Sequence, residues 1–273
     1  MGENKAYLGT PFDLTGKTAL VTGGAGLLGR EFCLALRSAG ADVIMADIDR
    51  DVLDLAIEGV EIDTQLIDVT DQDSIERCIA SVTERHKGID ILVNSAAIDS
   101  KFESGTDLEN YTQFTNFPYQ SWQESMKVNI DGLFLVTQAV CRVMEKMGEG
   151  SIINLGSNYG LVGPDQRIYK EPGAETQAYK PPVYSTCKAA ILGFTKYLAA
   201  YYAGTKIRVN MLTPSGVFNN HEAGFSDRYA KRTIMRRMSD KEEYHGPIIF
   251  LASNASSYMT GTNLIVDGGW TAL

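Results

Sequence analysis

A tyrosine and a lysine four positions apart have the clearest chemical potential in this 273-residue sequence. On a helix, Tyr184 and Lys188 would share one face. A neighbouring cation favours phenolate and lowers the tyrosine pKa from about 10 toward a range useful for proton transfer. The same spacing recurs at Tyr202 and Lys206, across Gly204 at a predicted helix end. Spacing alone therefore also fits an ordinary surface pair.

A glycine-rich turn between a predicted strand and a predicted helix is the second chemical feature. Glycines let backbone amides approach a pyrophosphate, whose charge is favoured at a helix N-terminus. A structural strand-to-helix turn could have the same composition, but an acidic residue after the next strand favours a dinucleotide. The cofactor contacts expected at this turn are Gly23, Gly26, Leu28 and Gly29.

Polar and small residues follow the next three predicted strands. Asp47, 18 residues after Gly29, can accept both hydrogen bonds from an adenosine ribose, and it would repel a 2′-phosphate. NAD is therefore favoured over NADP, although Asp47 could instead cap the following helix. Asp68 and Val69 are placed to hold the adenine, or they belong to a solvated turn. Asn94 and Ala96 end the fourth strand, where small residues let a ribose lie close.

Apolar runs of strand length alternate with helical patterns, which predicts the elements that position these residues. The predicted strands are Thr18–Thr22, Asp42–Asp47, Ile62–Ile67, Ile89–Asn94, Ser151–Leu155, Ile207–Leu212 and Asn263–Val266. The predicted helices are Leu27–Ala39, Ser74–His86, Trp122–Met147 and Tyr184–Tyr202. Alternation of this kind predicts an α/β fold, a single-domain (1–273) Rossmann-type doubly wound parallel sheet with helices on both faces.

Composition limits the possible partners. The net charge of −9 argues against nucleic acid and anionic membranes, and no apolar stretch approaches the length that spans a bilayer. No secretory signal is visible, so the cytoplasm is the expected location. Four cysteines and three histidines lack metal-ligand spacing, and no metal is expected. The cysteines are interpreted as small buried thiols.

Taken in order, these motifs resemble the short-chain dehydrogenase/reductase family from Phe12 to Gly269. Besides the residues above, the resemblance rests on Trp122, Val128-Asn129, Asn154-Leu155-Gly156-Ser157, Asn210…Pro214 and Thr260-Gly261…Val266-Asp267-Gly268-Gly269. It implies NAD-dependent hydride transfer between nicotinamide and a secondary alcohol or ketone, and a homotetramer or homodimer built on Trp122–Met147 and Tyr184–Tyr202.

The resemblance also implies site roles. Tyr184 would exchange the proton at the substrate oxygen, and Ser157 would hydrogen-bond the same oxygen. Lys188 would bind the nicotinamide ribose and lower the pKa of Tyr184, and Asn129 would support a water-linked proton path to Lys188. Pro214 to Val217 would flank the nicotinamide.

Two features depart from the family pattern. Leu27 stands where a middle glycine is expected, so the glycine spacing resembles the family's extended branch of nucleotide-sugar enzymes. Ser157 and Tyr184 lie 27 residues apart, about twice the usual separation. These departures leave two alternatives, an epimerase or dehydratase that retains NAD, and a non-catalytic dinucleotide-binding protein.

Two insertions, 99–120 and 160–182, supply acids, amides and tyrosines that suit a polyhydroxylated, sugar-like substrate or form solvated loops. Basic residues at helical spacing after Pro214 could clamp a phosphate or carboxylate or form a solvated face. The candidate substrate contacts are Ser157, Tyr159, Gln166, Arg228 and Arg232.

Overall fold

Seven strands lie parallel in one sheet, in the order β3-β2-β1-β4-β5-β6-β7. The computed structural model describes residues 10–54, 62–99 and 112–273. The strands are β1 Thr18–Thr22, β2 Asp42–Asp47, β3 Asp63–Leu66, β4 Ile91–Asn94, β5 Glu149–Leu155, β6 Lys206–Pro214 and β7 Asn263–Val266. The predicted parallel sheet is confirmed, with strand bounds shifted by at most two residues.

The strand order reverses direction between β1 and β4, the fourth strand in the chain. After β1 the chain builds outward to β2 and β3, then returns to place β4 on the other side of β1. Loops leaving the carboxyl ends of β1 and β4 diverge at such a point and leave a crevice, which is where open α/β sheets bind ligands.

Helices cover both faces of the sheet. They are α1 Leu27–Ser38, α2 Arg50–Asp54, α3 Gln72–Arg85, α4 Tyr119–Met126, α5 Leu133–Met147, α6 Pro182–Tyr201, α7 Ala223–Ala230 and α8 His245–Ala252. One apolar core joins the sheet to α3, α5 and α6, and another joins it to α1 and α8. Burying each large apolar side chain there contributes roughly 1.5–3 kcal/mol. The predicted doubly wound α/β fold is confirmed.

The helix predicted over Trp122–Met147 differs from expectation. It begins three residues earlier, at Tyr119, and a π-helical segment, Lys127–Gly132, separates α4 from α5. Periodicity of apolar residues does not distinguish a π segment from an α-helix. Such segments are rare and often lie at functional sites.

Three helices, α2, α7 and α8, lie outside the predicted set. The α8 segment is apolar on nearly every side, and Ile248 and Leu251 are fully buried. A helix without a polar face has no amphipathic period to detect.

The four cysteines each lie in a helix and are buried as free thiols, as expected. Within the described ranges, no helix has the length and apolar character needed to cross a membrane.

Candidate active site

Two cavities open at the carboxyl edge of the sheet. The first, of about 350 Å³, is lined by the segments that follow β1 to β4, and we call it the cofactor cavity. The second, of about 360 Å³, lies beyond β5 and β6, and we call it the chemical cavity. Its lining includes Ser157, Tyr184 and Val217, so the two predicted ends of the site are adjacent regions of one sheet edge.

The glycine turn at the cofactor cavity cannot accept side chains at two positions. Gly23 has φ of 63°, and a Cβ there would lie 2.6 Å from the Cα of Ala96. A Cβ on Gly29 would lie 2.0 Å from the Gly23 carbonyl oxygen. The helix starts directly after Gly26, so its first amides have no carbonyl partner within the helix. This narrow cradle of amides fits the pyrophosphate of a dinucleotide.

Leu28, expected among the cofactor contacts, instead turns its side chain toward the apolar core under α1. Only its backbone remains available to a phosphate. Leu27, which replaces the family's middle glycine, is the first helical residue and has 41% of its surface exposed. Since its side chain points to solvent, a leucine there is accommodated without closing the turn.

Asp47 lies at the end of β2 and is held by the glycine turn. Its Oδ2 accepts a hydrogen bond from the Ala25 amide at 3.0 Å, and its Oδ1 accepts one from the Ile48 amide at 2.8 Å. The Oδ1 atom also accepts from the Asp49 amide at 3.2 Å, so Oδ2 is the oxygen with a second lone-pair direction for a ribose hydroxyl. The helix that follows starts only at Arg50, so the bond to Ala25 ties Asp47 to the cofactor turn.

The ends of β3 and β4 are arranged differently from one another. Asp68 and Val69 line the cofactor cavity, and the Asp68 carboxylate accepts hydrogen bonds from the amide and hydroxyl of Thr70, each at 2.8 Å. Asn94 was expected to contact the cofactor, but its side chain points into the core and donates to Thr137 and Asn154. The residues that follow, Ser95 to Ile98 and thus including Ala96, line the cavity instead.

Asn129 lies in the π-helical segment and is buried. Its Oδ1 accepts from the Ile98 amide at 2.8 Å, and its Nδ2 donates to the Ile98 carbonyl at 3.0 Å. The side chain therefore holds the loop after β4, which lines the cofactor cavity. The role of Asn129 in a proton path stays a prediction.

Tyr184 and Lys188 lie in the first two turns of α6, which begins with Pro182 at its first turn. The Lys188 Nζ donates to the Leu155 carbonyl at 2.9 Å and lies 5.9 Å from the Tyr184 ring centroid. Burial lowers the pKa of Lys188 to about 8. The helix does place both groups on the same side, as their spacing predicted.

Ser157 reaches Tyr184 despite the 27 intervening residues. It follows β5 and caps the 3₁₀ turn Asn158–Gly160, where its hydroxyl accepts from the Tyr159 amide and donates to Asn158 Oδ1, each at 3.2 Å. The same hydroxyl is close enough to the Tyr184 phenol to lower its pKa by hydrogen bonding. The turn packs tightly against α6, because a Cβ on Gly160 would lie 2.5 Å from the Lys188 carbonyl carbon. The inserted loop leaves and returns without separating the two hydroxyls.

The pKa of Tyr184 differs from the expected direction. Burial is the largest effect and raises its pKa, the negative charge of Asp99 raises it further, and the Ser157 hydrogen bond lowers it. Lys188 is not among the groups that shift the pKa of Tyr184, and burial lowers the pKa of Lys188 itself. In the protein alone, Tyr184 is therefore a neutral phenol that can donate a proton.

The segment after β6 closes the chemical cavity from the side opposite α6. Pro214 is the last residue of β6, and Val217, which lines the cavity, pairs with Ser239. The hydroxyl of Tyr229, on α7, accepts hydrogen bonds from the Gly216 amide and from Asn158 Nδ2. One tyrosine thus links α7, the loop after β6 and the turn that bears the serine.

Of the candidate substrate contacts, Ser157 and Tyr159 line the chemical cavity. The Tyr159 hydroxyl accepts a hydrogen bond from the Tyr169 hydroxyl at 3.2 Å. The guanidinium of Arg228 is paired with Glu171 and donates to the Ile168 carbonyl. Arg232 lies 5.4 Å from the Trp270 ring and 3.4 Å from an Asp165 oxygen.

The predicted clamp of basic residues is therefore corrected. The helix α7 ends at Ala230, and Arg236 adopts a positive φ of 57°, so the basic residues do not continue along one helical face. Arg228 is neutralised by Glu171 from the inserted loop. Neither Arg228 nor Arg232 lines the chemical cavity, so neither guanidinium faces the space beside Ser157 and Tyr184.

Lys180 and Asp99 in the chemical cavity were not identified from the sequence. The Lys180 Nζ lies 2.5 Å from Asp99 Oδ2 and 4.1 Å from the Tyr184 ring centroid. One signal was present, because Lys180 precedes Tyr184 by the same four positions by which Lys188 follows it. Residues 100–111 of the first insertion lie outside the described residues.

A family profile described as enoyl-(acyl carrier protein) reductase matches residues 24–271. The 3-oxoacyl-[acyl-carrier-protein] reductase of Thermotoga maritima is 32% identical over 94% of this chain and 98% of its own. The NAD-dependent glycerol dehydrogenase of Listeria innocua is 32% identical over 95% of this chain and 96% of its own. Gluconate 5-dehydrogenase from Burkholderia cenocepacia, solved with NADP and tartrate, superposes with a TM-score of 0.80 at 31% identity. The match covers 96% of this chain and 98% of that structure.

Proposed function

This chain belongs to the short-chain dehydrogenase/reductase family, and from that premise we propose that it is an NAD-dependent dehydrogenase of a polar, sugar-like secondary alcohol or its ketone. The observation that carries the proposal is the meeting of Ser157 and Tyr184 in the lining of the chemical cavity, with the Lys188 ammonium 5.9 Å from the Tyr184 ring centroid. Dinucleotide binding alone does not require this set of side chains.

The three side chains have separable tasks. The Ser157 hydroxyl orients the substrate oxygen and stabilises negative charge that develops on it. Tyr184 moves the proton at that oxygen, and Lys188, held by the Leu155 carbonyl, supplies positive charge behind the tyrosine. The bound nicotinamide supplies the hydride chemistry. Asn129 keeps the loop after β4 in place and supports the proton path to Lys188.

NAD is the proposed cofactor because of Asp47. Its carboxylate is tied to the cofactor turn, where the adenosine ribose of a dinucleotide lies in folds of this type. A 2′-phosphate there would meet a fixed like charge. The Listeria relative is NAD-dependent and the Burkholderia structure holds NADP, so the preference rests on Asp47 itself.

A sugar-like substrate is supported by the polar groups of the chemical cavity. Hydroxyl, amide and charged side chains there offer hydrogen bonds to a polyhydroxylated chain, and aromatic rings offer flat apolar contacts. These groups include Ser157, Asn158, Tyr159, Tyr169, Lys180 and Tyr229. Glycerol and gluconate dehydrogenases among the relatives agree with this substrate class.

The test is NADH formation, followed by its absorbance, across a panel of polyols, sugar acids, sugar phosphates and hydrophobic alcohols. Turnover with polyhydroxylated compounds is expected, with NAD preferred to NADP. Turnover confined to hydrophobic alcohols would contradict the substrate class. An epimerase or dehydratase would instead co-purify with NAD and produce no net NADH.

We also propose that the protein forms a homotetramer or homodimer through α5 and α6. These helices border a shallow groove that exposes Phe134, Tyr197 and Tyr201, with 46%, 66% and 64% of their surfaces accessible. Aromatic residues gathered on one exposed surface are typical of protein interfaces.

Replacing both Phe134 and Tyr197 by glutamate is expected to lower the mass in solution from a multiple of 29.9 kDa toward one chain. Charge buried at an apolar contact leaves unpaired carboxylates there. Light scattering after size exclusion measures the mass. Tyr258→Glu, at a fully exposed position away from the groove, is the matched control and should leave the mass unchanged. A wild-type monomer would contradict the proposal.

A further inference from the structure

Lys180 is a second lysine against the catalytic tyrosine. It ends the inserted loop 160–182, and its ammonium lies 4.1 Å from the Tyr184 ring centroid, closer than that of Lys188. Its side chain is only 13% exposed. Such burial of an ammonium is costly without an anion or an aromatic face beside it, and Lys180 has both.

The backbone of Lys180 is held in place by Gln166. The Gln166 side chain accepts from the Lys180 amide at 2.9 Å and donates to the Lys180 carbonyl at 3.3 Å. In turn, Gln177 donates to the Gln166 carbonyl. Gln166, a candidate substrate contact, therefore supports the Lys180 backbone and does not itself line the chemical cavity. A rigid support of this kind pre-organises the ammonium toward the chemical cavity.

Asp99, the present partner of Lys180, is much less confined. Its side chain is 46% exposed, against 13% for Lys180. An ion pair with one solvated member contributes little, so a competing carboxylate can replace Asp99 while Asp99 turns to water. Lys180 and Asp99 are the charged side chains that line the chemical cavity within the described residues.

We propose that Lys180 binds the carboxylate of a sugar-acid substrate, which takes the place of Asp99 and extends its carbon chain toward Ser157 and Tyr184. This inference rests on the proposed function, and it specifies the substrate as a carboxylate-bearing polyol. The ammonium supplies charge-assisted hydrogen bonds to the carboxylate oxygens. The hydroxyl to be oxidised then lies a few bonds away, at the Ser157–Tyr184 pair.

A different use of the same pair makes the opposite prediction for Asp99. If Asp99 and Lys180 together hydrogen-bond two hydroxyl groups of a neutral polyol, the Asp99 carboxylate would be an acceptor that the ligand needs. Removing it would then weaken binding. If the ligand's carboxylate competes with Asp99, removing Asp99 strengthens binding.

The experiment is calorimetric titration of the NADH-bound protein with sodium gluconate and with sorbitol, which differ at one terminal group. In wild type, gluconate is expected to bind at least about tenfold more tightly than sorbitol. Lys180→Met should weaken gluconate binding by about 10- to 100-fold and leave sorbitol within about twofold. Asp99→Asn should strengthen gluconate binding by about 3- to 10-fold.

Two variants guard against general damage to the fold. Lys180→Arg keeps the charge and should retain most of the gluconate affinity, and Lys170→Met changes an exposed lysine of the same loop and should have no effect. Three results would each overturn the proposal. They are an equal loss of affinity for gluconate and sorbitol in Lys180→Met, weaker gluconate binding in Asp99→Asn, and no gluconate binding by wild type up to about 100 mM.

NADH formation by wild type, measured in parallel, separates the two proposals. Selective gluconate binding without NADH formation from any polyol or sugar acid contradicts the proposed dehydrogenase and leaves the carboxylate site standing. NADH formation from neutral polyols, with no selectivity for gluconate in binding, supports the proposed dehydrogenase and contradicts the carboxylate site.

Discussion

Tyr184→Phe is expected to lower kcat by about 10³-fold while changing the dissociation constant for NAD by no more than about twofold. Phenylalanine keeps the ring that packs edge-on against Tyr159, at 6.4 Å between centroids, and the ring face that Lys180 contacts. It removes only the hydroxyl that bonds Ser157 and exchanges the proton. Steady-state NADH formation and fluorescence titration with the dinucleotide measure the two quantities.

The sequence itself supplies the control for this variant. Tyr202 has the same four-residue spacing to a lysine, but its hydroxyl donates to Glu145 at 2.9 Å, away from both cavities. Tyr202→Phe should therefore leave kcat within about twofold of wild type, because it loses one ordinary hydrogen bond. Unchanged turnover in Tyr184→Phe would refute the central assignment of the active site.

Asp47→Ser is expected to reduce the preference for NAD over NADP by about 100-fold or more. The substitution removes the charge that opposes a 2′-phosphate, and it removes a carboxylate acceptor for the ribose hydroxyls. Losing charged hydrogen bonds of about 1.5–3 kcal/mol raises KM for NAD, while relief of repulsion lowers KM for NADP. The ratio of kcat/KM for the two cofactors is the measurement.

A matched control lies at the other end of the same strand. Asp42 begins β2 and makes only a long, 3.4 Å, contact with Arg37 at the surface. Asp42→Asn should leave the cofactor ratio unchanged. If Asp47→Ser left the ratio unchanged as well, the ribose would not be bound by this carboxylate, and the preference for NAD would lose its support.

Local pattern in the sequence determined the sheet, the main helices and the positions of the chemical groups along them. Strands such as β1 are continuous apolar runs because both faces are covered, and this signal needs no knowledge of partners. The spacing of Tyr184 and Lys188 sets their common face for the same reason, since helix geometry is local. The glycine turn and Asp47 lie together because neighbouring parallel strands end at one edge.

Only the tertiary structure decided which polar groups face the cavities, because that depends on partners distant along the chain. Asn94 turns inward because Thr137 and Asn154 receive its hydrogen bonds. Arg228 is occupied because the inserted loop brings Glu171 to it. The same loop returns Lys180 to the Tyr184 ring. Loop paths follow no period, so spacing could predict the acid–base pair but not the charges that surround it.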